Sequence, residues 1–230
     1  MPTLLAFDGV DASGKTTQSL LFYERLKNLG YNVKYISFPD YDSKSSALAK
    51  MYLDGEFGEN SRDVNPYAAS AFYSVDRFAS YAKKDGGWLD FYNQENSVII
   101  ANRYTTANAV HQTPKLDKSE WTAFLDWLYD FEFNKLGIPK PGLTVFFDMH
   151  VDLSMKLLKA RSEENNIPPD IHEKDGDYLK RSYEAAKFAA DYLKWETLKC
   201  YDDADGELTV KTRETILEEL TDLIFSKILF

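Results

Sequence analysis

Leu4-Leu5-Ala6-Phe7-Asp8, followed at once by Gly9-Val10-Asp11-Ala12-Ser13-Gly14-Lys15-Thr16, is the stretch that decides the fold. The first five residues are an apolar run of strand length. The next eight match G-x-x-x-x-G-K-[ST] in full, with Thr17 after them. Glycines let backbone N–H groups close around phosphate oxygens, and a helix opening near Lys15 aims its N-terminus at the anion. In that arrangement Lys15 reaches the terminal phosphates and the Thr16 hydroxyl holds Mg2+. A chance match in a chain of this length has odds of roughly 1%, and a strand before and a helix after are the context such a loop requires. The stretch is therefore read as a nucleoside-triphosphate site rather than a glycine-rich turn. It is built from Gly9, Val10, Asp11, Ala12, Ser13, Gly14, Lys15, Thr16 and Thr17. The N-K-x-D string expected of a guanine-reading switch does not occur in the chain.

Outward from this loop, strand and helix patterns alternate. Helical patterns cover 15–29, 45–53, 66–84, 117–135, 151–161, 175–194 and 211–226. Strand patterns cover 4–8, 32–38, 97–101 and 143–148, with a weaker one near 198–201. The strands are continuous apolar runs, as a sheet buried on both faces requires, and helical crossovers make neighbouring strands parallel. The expected class is α/β, with a central five-stranded parallel sheet flanked by helices in a single domain over 1–230. The polar stretch 162–176, with Pro168-Pro169 and many charges, reads as a surface segment.

The 230 residues carry 37 acidic and 27 basic side chains, a net charge of −10. A general nucleic-acid binder needs a basic footprint, and so does a polybasic membrane-surface protein, so both are excluded. Hydrophobic residues make up 44% and charged residues 28%, which is globular and not disordered composition. The longest apolar runs are far short of the ~20 residues that span a bilayer. The eight residues before the loop are too few and too uncharged for a targeting peptide. Cys200 has no second cysteine to pair with, so the expected location is the cytoplasm.

A second set of motifs points to a second substrate. Asp11 puts a carboxylate inside the phosphate loop, where it would repel ATP unless it faces something else. Phe38-Pro39-Asp40-Tyr41 closes the second strand. Tyr73 and Arg77 stand four apart on a helix and share a face. Asn102-Arg103-Tyr104 ends the third strand, and Asn108 and His111-Gln112 follow. In open α/β sheets ligands gather at the carboxyl ends of strands, which brings these groups toward the loop. Taken singly, Arg77 reads as a solvated charge and Asn108 and His111 as polar loop residues. His111, His150 and His172 show no metal-ligand spacing.

In this order the elements resemble the thymidylate kinase family. Its phosphate loop corresponds to Asp8–Thr16, its F-P element to Phe38–Tyr41, its aromatic-x-x-x-Arg helix to Tyr73–Arg77, and its D-R-Y element to Asn102–Tyr104. The likeness continues through Pro141, Leu143-Thr144 and Asp148, the lid-like Asp170-Ile171-His172-Glu173, and Asp202-Asp203-Ala204. The resemblance implies a P-loop kinase fold with a short lid at about 159–176, and ATP- and Mg2+-dependent phosphorylation of dTMP to dTDP. It implies that Asp11 bonds the deoxyribose 3′-hydroxyl, that Tyr73 stacks on thymine and that Arg77 donates to its O4. Arg103 would hold the monophosphate, Asn108 and Gln112 would contact the base, and Tyr41 and His111 would border the sugar. Lys15, Arg103 and Asp11 are the expected catalytic groups. Arg161 is expected to close over the phosphates, because the loop's Ala12-Ser13 lacks an arginine. Thr16 holds Mg2+ in this reading, with Asp8 as a further candidate. The aromatic helix Trp121, Phe124, Trp127, Leu128, Phe131 is first a core helix and second a homodimer face.

Two positions depart from the family's pattern. The aspartate of D-R-Y is Asn102, and an arginine common in the family is Leu157. The alternatives are a kinase for another deoxynucleotide or nucleoside, and a nucleotide-binding protein with weak or no transfer activity.

Overall fold

The computed structural model describes residues 2–58, 60, 62–165, 176–204 and 206–228. A five-stranded sheet forms its centre. The strands are β1 (Thr3–Asp8), β2 (Val33–Ser37), β3 (Val98–Asn102), β4 (Leu143–Asp148) and β5 (Glu196–Lys199). They run parallel in the order β2-β3-β1-β4-β5. Leu5 and Phe7 of β1 join one apolar cluster, and Leu4 and Ala6 another. Both faces of the strand are therefore covered, which explains its unbroken apolar run.

The helices are α1 (Lys15–Asn28), α2 (Ala47–Leu53), α3 (Pro66–Ala82), α4 (Leu89–Tyr92), α5 (Thr105–His111), α6 (Trp121–Tyr129), α7 (Val151–Asn165), α8 (Gly176–Tyr192) and α9 (Arg213–Lys227). Phe22 and Leu26 of α1 are buried, and Phe22 lies 6.0 Å from the Phe7 ring. The Asn65 side chain caps α3 ahead of Pro66, and Thr212 caps α9.

Two expectations need correction. The strand expected near 198–201 divides at Cys200: β5 ends at Lys199, and Tyr201 begins β6 (Tyr201–Ala204), which pairs antiparallel with β7 (Glu207–Val210). The helix expected over 117–135 has a short turn at Lys118–Glu120, then α6, then a wider π-helical turn at Asp130–Lys135. The aromatic helix serves the chain's own core, as its first reading expects: Trp121, Phe124, Leu125 and Leu128 are buried. The lid expected over about 159–176 falls mostly on 166–175, including Asp170-Ile171-His172-Glu173, outside the described residues.

Candidate active site

The order β2-β3-β1-β4 places the topological switch at β1 and its neighbours, and the loop 9–14 leaves the sheet at that carboxyl end. Gly14 takes a left-handed φ of 81°, which swings the chain into α1. At Gly9 a Cβ would stand 2.7 Å from the Phe147 carbonyl oxygen and 2.8 Å from Ser13 Oγ, so only glycine allows this approach. No side chain caps α1, in contrast to α3 and α9, which leaves its first N–H groups for an anion. Ser13 Oγ is buried inside the loop without a hydrogen-bond partner. An open helix terminus, an orphaned hydroxyl and a buried lysine fit a polyphosphate.

Lys15 is buried, donates to the Val10 carbonyl at 3.1 Å and lies 3.7 Å from Asp11. Burial lowers its pKa to about 8; Arg103 adds to that shift, and Asp11 and Asp8 oppose it. Asp11 also pairs with Arg103 Nη2. Burial would raise this carboxyl, but Arg103, His111 and Lys15 outweigh it and hold the group well below the ordinary carboxylate range. Arg103 reaches Asp11 from the residue after β3. Its backbone has a left-handed φ of 63°, a strained position for a non-glycine residue, and its N–H donates to the Phe7 carbonyl at 2.9 Å. Arg103 Nη1 lies 3.0 Å from His111 Nε2.

Asn102 Nδ2 donates to Thr16 Oγ1 at 3.2 Å and to Ser37 Oγ at 3.0 Å. Thr16 is exposed at the loop's mouth. Among the described residues no group of three acidic, histidine or cysteine side chains could hold a metal. A single hydroxyl suits Mg2+ that takes its other ligands from phosphate and water. Asp8, the further metal candidate, is fully buried, and its oxygens accept from the Gly9 N–H at 2.9 Å and from Thr106 Oγ1 at 2.6 Å, which turns them away from the loop's mouth. Burial raises its pKa despite Arg103 and Lys15.

Beside the loop opens a cavity of about 370 Å3. Its walls include Asp11, Phe38, Pro39, Tyr41, Tyr73, Arg77, Arg103, Asn108, His111 and Gln112, every residue expected around the second substrate. Gln112 Oε1 is buried without a partner, and Asn108 Nδ2 donates to the Ser70 carbonyl at 3.2 Å. Arg77 is not the solvated charge its sequence neighbourhood suggests when taken singly. It is buried, and Nε and Nη2 are held by the buried Glu132. Glu132 belongs to no motif. Its one signal is spacing, four residues beyond Leu128 on the face that buries Leu125 and Leu128. Arg161 lies exposed on α7, outside the cavity walls.

A sequence model described as Thymidylate kinase matches residues 7–200. The chain belongs to the thymidylate kinase family. It is 26% identical to a thymidylate kinase of Mycobacterium tuberculosis over 181 residues, 78% of this chain and 81% of that one. It is 22% identical to a thymidylate kinase of Plasmodium falciparum over 222 residues, 96% of this chain and 87% of that one. The solved thymidylate kinase of Candida albicans superimposes with a TM-score of 0.70 at 18% identity, covering 98% of this chain and 92% of that one, a likeness of fold. Membership in the thymidylate kinase family makes the chain a nucleoside monophosphate kinase whose reaction is phosphorylation of dTMP to dTDP. No described helix is long and apolar enough to cross a membrane.

Proposed function

We propose that residues 1–230 act as one domain that moves the γ-phosphoryl group of ATP, bound with Mg2+ at the loop, onto dTMP held in the cavity. An oxygen of the dTMP phosphate forms the new O–P bond. The bond from the γ-phosphorus to the bridging oxygen breaks, and its electron pair leaves with ADP. The acceptor is already anionic, so alignment and neutralisation carry the reaction without a general base. Mg2+ supplies two positive charges at the terminal phosphates.

Lys15 neutralises the transferring group, and Arg103 grips the acceptor phosphate with its fork. Asp11 orients Arg103 and accepts from the deoxyribose 3′-hydroxyl. Tyr73 stacks on the base, Phe38 and Pro39 wall it, and Tyr41 and His111 border the sugar. Arg77 Nη1 donates to thymine O4, Gln112 Oε1 accepts from N3–H, and Asn108 completes that edge. Cytosine presents an amino group and a bare nitrogen there, so its polar groups and the site's would stay unpaired. Arg161, on the lid, closes over the phosphates and helps exclude water.

The cavity supports this reading most directly, because its walls begin at the loop's own Asp11 and Thr16. A panel of nucleoside monophosphates with ATP and Mg2+ tests it. Selective conversion of dTMP is expected; preference for another acceptor, or intact ATP binding with no transfer, rejects it. A homodimer is part of the proposal, seated on α3, where Val75 and Phe78 are 41% and 42% exposed. So is a cytoplasmic location, in keeping with the buried free thiol of Cys200, whose pKa burial pushes up to about 12.

A further inference from the structure

Glu132 is fully buried and accepts four hydrogen bonds. Its Oε2 takes one from Arg77 Nε at 2.8 Å and one from Thr105 Oγ1 at 2.5 Å. Its Oε1 takes one from Ser74 Oγ at 2.7 Å and one from Arg77 Nη2. Three elements thus converge on one carboxylate: α3 brings Ser74 and Arg77, the first residue of α5 brings Thr105, and the π-helical turn brings Glu132 itself. Turns of that kind widen a helix locally and recur at functional sites.

A core position on the face of Leu125 and Leu128 is more cheaply filled by an apolar side chain than by half of an ion pair. What the pair adds is orientation. Two parallel bonds to one edge of a planar guanidinium fix its plane. The nitrogen that Glu132 leaves is Nη1, on a residue that lines the cavity.

We infer that Glu132 is a positioning residue for base selection, which locks Arg77 so that Nη1 meets a carbonyl oxygen of the bound pyrimidine. This rests on the reading of the cavity as the dTMP site. Glu132 touches no reacting atom, so its loss acts on substrate recognition ahead of transfer. In Glu132→Gln the carboxamide keeps one acceptor oxygen and turns an amino group toward Arg77's own donors. The fork then has one bond in place of two, and Arg77 loses its fixed plane.

Steady-state kinetics at saturating ATP, with dTMP and with dCMP, test this on R77A, E132Q and the double variant. E132Q is expected to raise KM for dTMP about ten-fold or more with kcat within about three-fold, and to shrink the dTMP-to-dCMP ratio of kcat/KM by about ten-fold. Added to R77A, it is expected to raise KM no further and to increase Tm above that of R77A, because the lone buried carboxylate is gone. Should E132Q not fold, Thr105→Ala removes one bond from Oε2 and is expected to raise KM for dTMP about three-fold. Wild-type KM and base ratio in E132Q, no rise in KM in Thr105→Ala when that variant stands in for it, or a full additive effect on R77A, would reduce Glu132 to a structural acid and overturn the inference. If R77A itself keeps wild-type KM and base ratio, the assignment of Arg77 to the base is wrong and the inference falls with it. If wild type fails to prefer dTMP, the error lies in the reading of the cavity.

Discussion

Lys15 has its pKa lowered to about 8, first by burial and then by Arg103. In the ligand-free protein the charge is therefore lost as pH rises through about 8. A bound polyphosphate restores it, because an anion beside an ammonium favours the protonated form. The kcat/KM for ATP is expected to fall above pH 8, while kcat holds to higher pH, since the first reports the free protein and the second the complex. Coincident pH profiles for the two would reject a phosphate contact by Lys15. Asn102 gives a second expectation. Its amide now donates to Thr16 Oγ1. The Asn102 Oδ1 also stands 3.5 Å from that hydroxyl; Asn102→Asp would leave only acceptors facing Thr16 and add a charge beside the proposed metal site, so half-saturation by Mg2+ should drop about three-fold or more. An unchanged Mg2+ titration would place residue 102 outside the metal site. Lys15 and Thr16 were legible because their chemistry has a fixed spacing in the chain. Glu132 was not, because its partners Ser74, Arg77 and Thr105 are 58, 55 and 27 residues away.

At the scale of elements, the apolar strands and the helices with a clear period were readable. The helix α5 was not: Thr105-Thr106-Ala107-Asn108-Ala109-Val110-His111 has no apolar stripe, and most of it is buried. A helix covered on several sides by protein and facing a polar cavity needs no single apolar face. The strand end at Lys199 was also hidden, since Glu196–Lys199 and Tyr201–Ala204 have similar strand patterns and only their partners differ. The lid prediction belongs here. Arg161 lies toward the C-terminal end of α7, which leads to the expected lid. Arg161→Ala should lower kcat at least ten-fold, about 1.4 kcal/mol of transition-state stabilisation, with little change in KM for dTMP. Turnover within a few-fold of wild type would remove Arg161 from the reaction.

Across the whole molecule, the net charge of −10 coexists with a site for two anionic nucleotides. Lys15 stands in the loop and Arg77 and Arg103 line the adjoining cavity, so in the proposed reading placement rather than bulk charge does the binding. The exposed Val75 and Phe78 give the molecular-scale expectation: sedimentation should find a dimer at micromolar concentration, and Phe78→Glu should shift it to monomer. A wild-type monomer would reject the dimer. The sequence by itself determined the phosphate loop and the parallel sheet, and it named the residues that the fold gathers around one cavity. Each depends on local spacing or on an apolar run, which a linear chain displays directly. Only the tertiary structure decided that Asp8 is enclosed, that the buried α5 lines the cavity, and that Glu132 holds Arg77. Burial and pairing are set by which distant segments meet, and no local pattern records that meeting.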